Sequence, residues 1–214
     1  MKTEDLESKT IETYDATAHH WTRTHMRVNE WEWAAGKLKQ LLPSGRVLEI
    51  GCGGGRDASE LINLGYEYLG TDASIGMIRA AQKEVSSANF RQLNIYDLSS
   101  LNEQFDGFWA CAVLLHIPKA RIDEAFTQLS SCLKPGAIGM ISIKDGDKED
   151  FEVRDKDGGH VERLFVYWRK DDFVAVLERN GFSVLEYVYK PVSERTNWHI
   201  FFVKKNGLVF SSTV

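Results

Sequence analysis

Apolar and polar residues alternate along the chain in blocks whose period changes several times. Residues 4–42 recur mostly with helical spacing and predict helix, broken near the polar-aromatic stretch YDATAHHWTRTH at 14–25. A first strand is predicted at 46–50. Residues 56–64 follow as a helix that Gly65 closes at its C-terminal end, and 66–70 form a second strand. Ser74 then caps a helix running to about Val85, with Met77, Ile78 and Ala81 on one face. Strands are predicted at 89–93 and 105–111. A helix over about 119–133 stops at KPG, and 137–143 is a continuous apolar run of the kind buried on both faces of a sheet.

Five strands alternating with helices at this spacing predict a parallel, doubly wound α/β sheet. From residue 144 the pattern changes. KDGDKEDFEVRDKDGG carries seven acids and four bases in sixteen residues, a solvated loop or ribbon. A helix at 170–180 ends at Gly181. Strands at 182–189 and 198–203 suggest an antiparallel hairpin that completes a seven-stranded, mostly parallel sheet with helices on both faces. The expected organisation is a single domain: a helical cap at 1–44, a core at 45–145, and substrate-side elements with the closing strands at 146–214.

A length of 214 residues is enough for one full core. The net charge of −5 disfavours broad binding to nucleic acid or anionic membranes, which needs a basic face. No apolar run is long enough to span a bilayer. The opening MKTEDLESKTIE is polar and acidic, so no signal peptide is expected. Cys52, Cys111 and Cys132 form no Cys-x-x-Cys pair, and no His-Glu-x-x-His spacing occurs. Neither disulfides nor a metal is expected, which fits a reducing cytoplasm.

The chemistry concentrates in VLEIGCGGGRDA at 47–58, where four glycines fall within five positions directly behind the first strand. A ligand is expected there, at the carboxyl ends of the strands beside the switch point. A P-loop would need a Lys-Ser/Thr pair where Arg56-Asp57 stands. A dinucleotide fingerprint fits only as Gly53, Gly55 and Ala58, and Asp72 on the next strand suits any ribose. Glu49, two residues before Gly51, would repel a pyrophosphate but suits a cationic or amino-bearing ligand end. No Tyr-x-x-x-Lys pair supports dehydrogenase chemistry.

VLEIGCGGGRDA, YLGTDAS, FDGFWACAVLLHIPK and LKPGAIGMISIK together resemble, in order and spacing over about 45–145, the successive motifs of class I S-adenosylmethionine-dependent methyltransferases. GRDA, WACAVLLHIP and IKDG resemble small bacterial members related to the tellurite-resistance type. VYWRKDDFVAVLERNGFSVLE, NWHIFFVKK and YDATAHHW continue that likeness. The resemblance implies a cofactor site drawn from several segments. Tyr14, Trp21 and Arg23 would come from the N-terminal segment, and Glu49, Gly51, Cys52, Gly53, Gly55 and Arg56 from the glycine turn. Asp72, Ala73, Ser74 and Met77 would follow the second strand, Asn94 and Ile95 the third, and Ala110, Cys111 and Ala112 would end the fourth. Asp72 would accept both ribose hydroxyls. Arg56 or Arg23 would pair with the cofactor carboxylate, Arg56 being equally readable as a helix-surface residue. Relatives usually place an acid after the third strand to meet the adenine amino group. Here the position falls on Asn94, with Asp97 three residues on as the alternative.

Methyl transfer from a sulfonium needs alignment and exclusion of water more than it needs a base. His116 is the candidate general base, with an ordinary pKa near 6.5, or else a structural cap of its loop. His19, His20 and Trp21 either close over the cofactor or lie on a helix face. Tyr167, Trp168, Arg195 and Trp198 are the candidate substrate-pocket residues. Cys52 and Cys111 read as small packing residues with no base to activate them. The expected protein is a cytoplasmic S-adenosylmethionine-dependent methyltransferase of a small molecule, monomeric or homodimeric and without nucleic-acid or membrane partners. An NAD(P)-dependent oxidoreductase and a non-catalytic cofactor-binding module are the alternatives.

Overall fold

The sheet is organised around β1 (Arg46–Ile50), whose Val47, Leu48 and Ile50 are buried. The computed structural model describes residues 3–26, 30–156, 159–193 and 196–207. β2 (Glu67–Asp72) and β4 (Phe105–Cys111) pair with β1 in parallel on either side. β3 (Asn89–Gln92) extends the sheet beyond β2, and β5 (Leu133–Asp145) extends it beyond β4. β9 (Thr196–Lys205) runs antiparallel to β5, and β8 (Phe182–Ser193) antiparallel to β9. The main body therefore reads β3-β2-β1-β4-β5-β9-β8, as the sequence predicts: mostly parallel, with an antiparallel C-terminal hairpin. The chain winds outward in opposite directions from β1 and β4, which opens a crevice at their carboxyl ends.

Strand alternation divides the core in two. Leu48, Phe108, Ala110 and Ile141 face one side, where α5 (Ile122–Ser131) and α6 (Lys170–Arg179) bring Phe126, Leu129, Phe173 and Leu177. Val47, Trp109, Met140 and Phe202 face the other, under α2 (Glu32–Leu41), α3 (Ala58–Asn63) and α4 (Ile75–Glu84). Ser74 caps α4 as expected, its hydroxyl accepting the Met77 N–H at 3.0 Å.

Three elements differ from the sequence reading. The first is the N-terminal helix. α1 (Thr3–His25) runs unbroken through YDATAHHWTRTH. Two of its threonines are satisfied within the helix: the Thr17 hydroxyl donates to Thr13 O at 2.7 Å and the Thr10 hydroxyl to Leu6 O at 2.8 Å. Secondly, the acidic stretch is a ribbon, β6 (Glu149–Lys156) paired antiparallel with β7 (Gly159–Trp168). β7 joins the main sheet only through Tyr167 and Trp168, opposite Lys144 and Asp145. Thirdly, the helix expected from residue 56 begins at Ala58, because 51–57 remain a turn.

α1 crosses the carboxyl ends of the strands between α4 and β7. Asp15 fixes one side, accepting from the Ser74 hydroxyl at 2.5 Å and the Gly76 N–H at 2.8 Å. Threonines fix the other. Thr13 both donates to Glu162 O and accepts from Glu162 N–H, each at 3.0 Å, and Thr10 accepts from Leu164 N–H at 2.9 Å. The free edge of β7 is thus completed by a helix. Among the described residues no helix is long and apolar enough to cross a membrane.

Candidate functional site

Beneath α1 lies a cavity of about 190 Å³ that joins the glycine turn to His116. Gly51, Cys52, Gly53 and Gly54 form one wall. Gly51 has φ of +67°, and a Cβ there would come within 2.4 Å of Val113. A Cβ on Gly54 would lie 2.3 Å from Thr22 Oγ1. Any side chain at these positions would fill the space where the turn meets β4 and α1. Gly55 is not part of the wall; it packs against Ala81 and Phe90 and lets α4 approach.

Asp72 ends β2 beside this turn. Its carboxylate accepts the N–H groups of Gly53 and Ser74, each at 2.9 Å, which leaves lone pairs on both oxygens for a ligand. Burial lifts its pKa to about 6, against the opposing pull of those two N–H groups. Ala73, Met77, Asn94 and Ile95 line the same end of the cavity, whereas Asp97 is exposed and outside it. Asn94 Oδ1 accepts the Tyr96 N–H at 3.2 Å and keeps a second lone pair. Ser74 serves α4 as its cap and does not line the cavity.

Glu49 lies on the cavity floor, nearly fully buried and accepting from the Tyr68 hydroxyl. Burial and the neighbouring Asp57 raise its pKa well above the ordinary carboxylate value. Arg56 reaches the cavity but is held by Asp57 through two bonds, Nε to Oδ1 at 2.6 Å and Nη2 to Oδ2 at 2.8 Å. Asp57 is itself anchored by the Trp109 indole N–H at 2.8 Å. Arg23 is exposed on α1 and lies away from the cavity, so it is not placed to meet a ligand carboxylate there.

Cys111 and Ala112 line the cavity at the end of β4; Ala110, fully buried, stays in the core. Ala112 adopts φ of +56°, a strained turn for a residue with a Cβ, and its N–H is held by Ser142 Oγ at 2.9 Å. Burial raises the Cys52 and Cys111 thiols far above their ordinary value, so neither is a nucleophile.

His116 and Tyr14, which also line the cavity, meet with Oη 2.8 Å from Nε2. The His116 Nδ1 lies 2.6 Å from Leu164 O, and a carbonyl can only accept, so the proton is assigned to Nδ1. Nε2 therefore accepts from the Tyr14 hydroxyl. Burial pushes His116 down to about 3, with the Arg163 and Lys144 charges acting the same way. The ordinary value expected for a general base is not what this environment gives. Trp21 stacks on His25 with ring centroids 3.6 Å apart and meets Tyr14 edge-on at 5.4 Å.

Of the expected substrate residues, none of those described lines the cavity. Trp168 is a core residue packed 5.5 Å from Phe173. Tyr167 lies beneath Lys144 and Lys148, and Trp198 meets Trp31 at 5.8 Å. Arg195 lies outside the described residues. His19 and His20 also stay outside the lining. Many of the lining residues that the sequence reading missed come from α1 and the residue just after it: Glu7, Thr10, Ile11, Thr22, His25 and Met26. With Tyr14, Ala18 and Trp21, most of them recur every three or four positions along one helix face, a signal present in the sequence.

A nucleoside with a charged tail fits this donor and acceptor set. Asp72 offers paired lone pairs at the glycine turn, and Thr22 Oγ1, buried beside Gly54, has no hydrogen-bond partner among the described residues. Comparison with known proteins agrees. Residues 47–136 match the family described as a methyltransferase domain. Over 168 residues the chain is 27% identical to a ubiquinone biosynthesis O-methyltransferase of Dinoroseobacter shibae, covering 70% of this chain and 66% of that one. It spans just under two thirds of the length of the first curated relatives that it matches. The Burkholderia thailandensis 1,6-didemethyltoxoflavin-N1-methyltransferase, solved with its acceptor and S-adenosylhomocysteine, superposes with a TM-score of 0.77 at 16% identity, covering 97% of this chain and 92% of that one. An S-adenosylmethionine-dependent methyltransferase of Clostridium acetobutylicum superposes with a TM-score of 0.70 at 18% identity, covering 91% and 99%. Residues 47–136 thus match a methyltransferase-domain family, and the chain shares its fold with solved methyltransferases.

Proposed function

We propose that the protein transfers the methyl group of S-adenosylmethionine to a small-molecule acceptor by in-line displacement. One observation carries the reading: a single cavity runs from the glycine turn and Asp72 to the His116–Tyr14 pair. S-adenosylmethionine, when bound, supplies an activated methyl on its sulfonium. Asp72 accepts the ribose hydroxyls, while Met77, Asn94 and Ile95 enclose the adenine end. Gly51–Gly54, Cys111 and Ala112 bring backbone against the rest of the ligand, and Thr22 gains a partner. Arg56, engaged by Asp57, shapes the wall rather than binding a carboxylate alone.

His116 and Tyr14 hold the acceptor. An imidazole with a pKa of about 3 is neutral at pH 7, its one proton on Nδ1, and is a weak base, so positioning and exclusion of water under α1 supply the catalysis. The acceptor then reacts as an amine or an already ionised oxygen. Within the class, GRDA and WACAVLLHIP favour the tellurite-resistance type. The charge of −5 favours a small molecule over nucleic acid, and the three buried thiols suit a reducing cytoplasm. We take the whole chain as one domain, working as a monomer or homodimer.

Isothermal titration with S-adenosylhomocysteine tests the reading, and micromolar binding is expected. A flat trace alongside a clear signal with NAD would replace it with the oxidoreductase. A screen of small acceptors with methyl-labelled cofactor then identifies the substrate, and turnover on any of them excludes a non-catalytic binding module.

A further inference from the structure

The threonines of α1 use their hydroxyls differently. Thr10, Thr17 and Thr24 return theirs to the carbonyl four residues back, at 2.8, 2.7 and 2.9 Å. Thr13 turns to β7 and donates to Glu162 O at 3.0 Å. Thr22 does neither. It is 5% exposed and lines the cavity, yet its Oγ1 has no hydrogen-bond partner among the described residues. The hydroxyl rests against Gly54, where a Cβ would come within 2.3 Å of Oγ1. A buried donor left unmet costs stability, although a helical threonine ordinarily has its own i−4 carbonyl to turn to. The cost is carried at a wall of the cavity.

The position of Thr22 along α1 indicates which part of a ligand reaches it. Asp15 pins α1 to the start of α4 through Ser74 and Gly76, and Met77 follows there. Thr22 comes two turns later, about 10 Å along the helix at a rise of 1.5 Å per residue. Asp72, accepting the Gly53 N–H, lies beside the glycine turn. A nucleoside with its base by Met77 and its ribose on Asp72 therefore sends its 5′ tail toward Gly54 and Thr22. Arg56, the cation of the turn, is already engaged by both oxygens of Asp57. A carboxylate only accepts, which matches a hydroxyl that still has its proton to give. An ammonium only donates, and would leave that proton unmet.

We propose that Thr22 binds the α-carboxylate of the cofactor's amino-acid tail, donating its hydroxyl proton to it. The proposal rests on the methyltransferase reading and adds to it a positioning residue outside the glycine turn. No described protein group meets this hydroxyl, so it serves affinity at the expense of stability. Holding the carboxylate also fixes the tail, and with it the sulfur, against Gly51–Gly54.

Three ligands and two variants test this by isothermal titration. S-adenosylhomocysteine carries both tail charges, S-adenosyl-3-thiopropylamine keeps the ammonium but lacks the carboxylate, and 5′-methylthioadenosine lacks both. Thr22→Val is expected to weaken S-adenosylhomocysteine by roughly ten- to hundredfold, the worth of one charge-assisted bond, and the other two by less than about threefold. Thr22→Ser keeps the hydroxyl and should bind all three within about threefold of wild type. Urea denaturation without ligand adds a readout that a merely structural hydroxyl would move the other way. There Thr22→Val should unfold at the same or a higher urea concentration than wild type. A Val variant that is less stable or does not fold would mean that the hydroxyl serves the fold, and would overturn the proposal. Unchanged affinity for S-adenosylhomocysteine in Thr22→Val, or an equal loss for all three ligands, would overturn it too. Failure of the wild-type protein to bind S-adenosylhomocysteine would instead overturn the methyltransferase reading, and this one with it.

Discussion

His116 and Tyr14 share one hydrogen bond at 2.8 Å, and the pair should behave as a unit. Tyr14→Phe and His116→Asn are each expected to lower turnover by roughly 10–100-fold, with the double variant no worse than the worse single one. Labelled-methyl turnover measures this, and multiplying losses would mean that the two side chains act separately. Asp72 gives a second test at this scale. Its carboxyl titrates at about 6 because it is buried. Only the ionised form offers charge-assisted bonds to ribose hydroxyls. Affinity for S-adenosylhomocysteine should therefore be level above pH 6 and fall by about tenfold per pH unit below it. Asp72→Asn should flatten that profile at the weaker level. The fold responds with the opposite sign: a raised carboxyl favours folding while protonated, and that contribution is lost as pH rises through 6. Titrations from pH 5 to 8 separate the two.

α1 is the element on which access to the site depends, and two of its contacts can be cut separately. Asp15→Ala removes the acceptor for Ser74 and Gly76, and should cost about 1–3 kcal/mol in urea denaturation. Gly54→Ala pushes on Thr22, 2.3 Å from the new methyl, and should weaken cofactor binding at least tenfold while costing less in stability. Unchanged affinity in Gly54→Ala would mean that α1 yields at no cost. These elements also mark what the sequence makes legible. The glycine turn, Asp72 and the Ser74 cap are local, because each is fixed by neighbours a few residues away. The α1 stripe was readable too, but its threonines and histidines look like breaks in an apolar pattern. The hydroxyls of Thr10, Thr13 and Thr17 are satisfied by the helix itself and by β7, a strand some 150 residues on, which no local spacing reveals. Trp168 was misread for the same reason: which face of β7 meets the core depends on pairing with β6 and β5.

At the scale of the whole molecule, two cores lie on opposite faces of one sheet. Phe108 belongs to one and Leu38 to the other, both fully buried. Phe108→Ala should cost about 3–5 kcal/mol and Leu38→Ala about 2–5 kcal/mol. The double variant should show their sum within about 0.5 kcal/mol, since the two cavities share no wall. Chemical denaturation measures all three, and a large deviation would mean that strain passes through the sheet.

The helix that completes the edge of β7 has a further consequence, for solubility. A strand edge with unmet N–H and C=O groups is a template for another chain. Were α1 lifted from the cavity, the backbone at Glu162 and Leu164 would lose its threonine partners and become such a template. A protein opened in that way would be the form most prone to self-association. A ligand holding α1 over the cavity would keep that edge capped, so the event that readies the site for chemistry would also keep the protein dispersed.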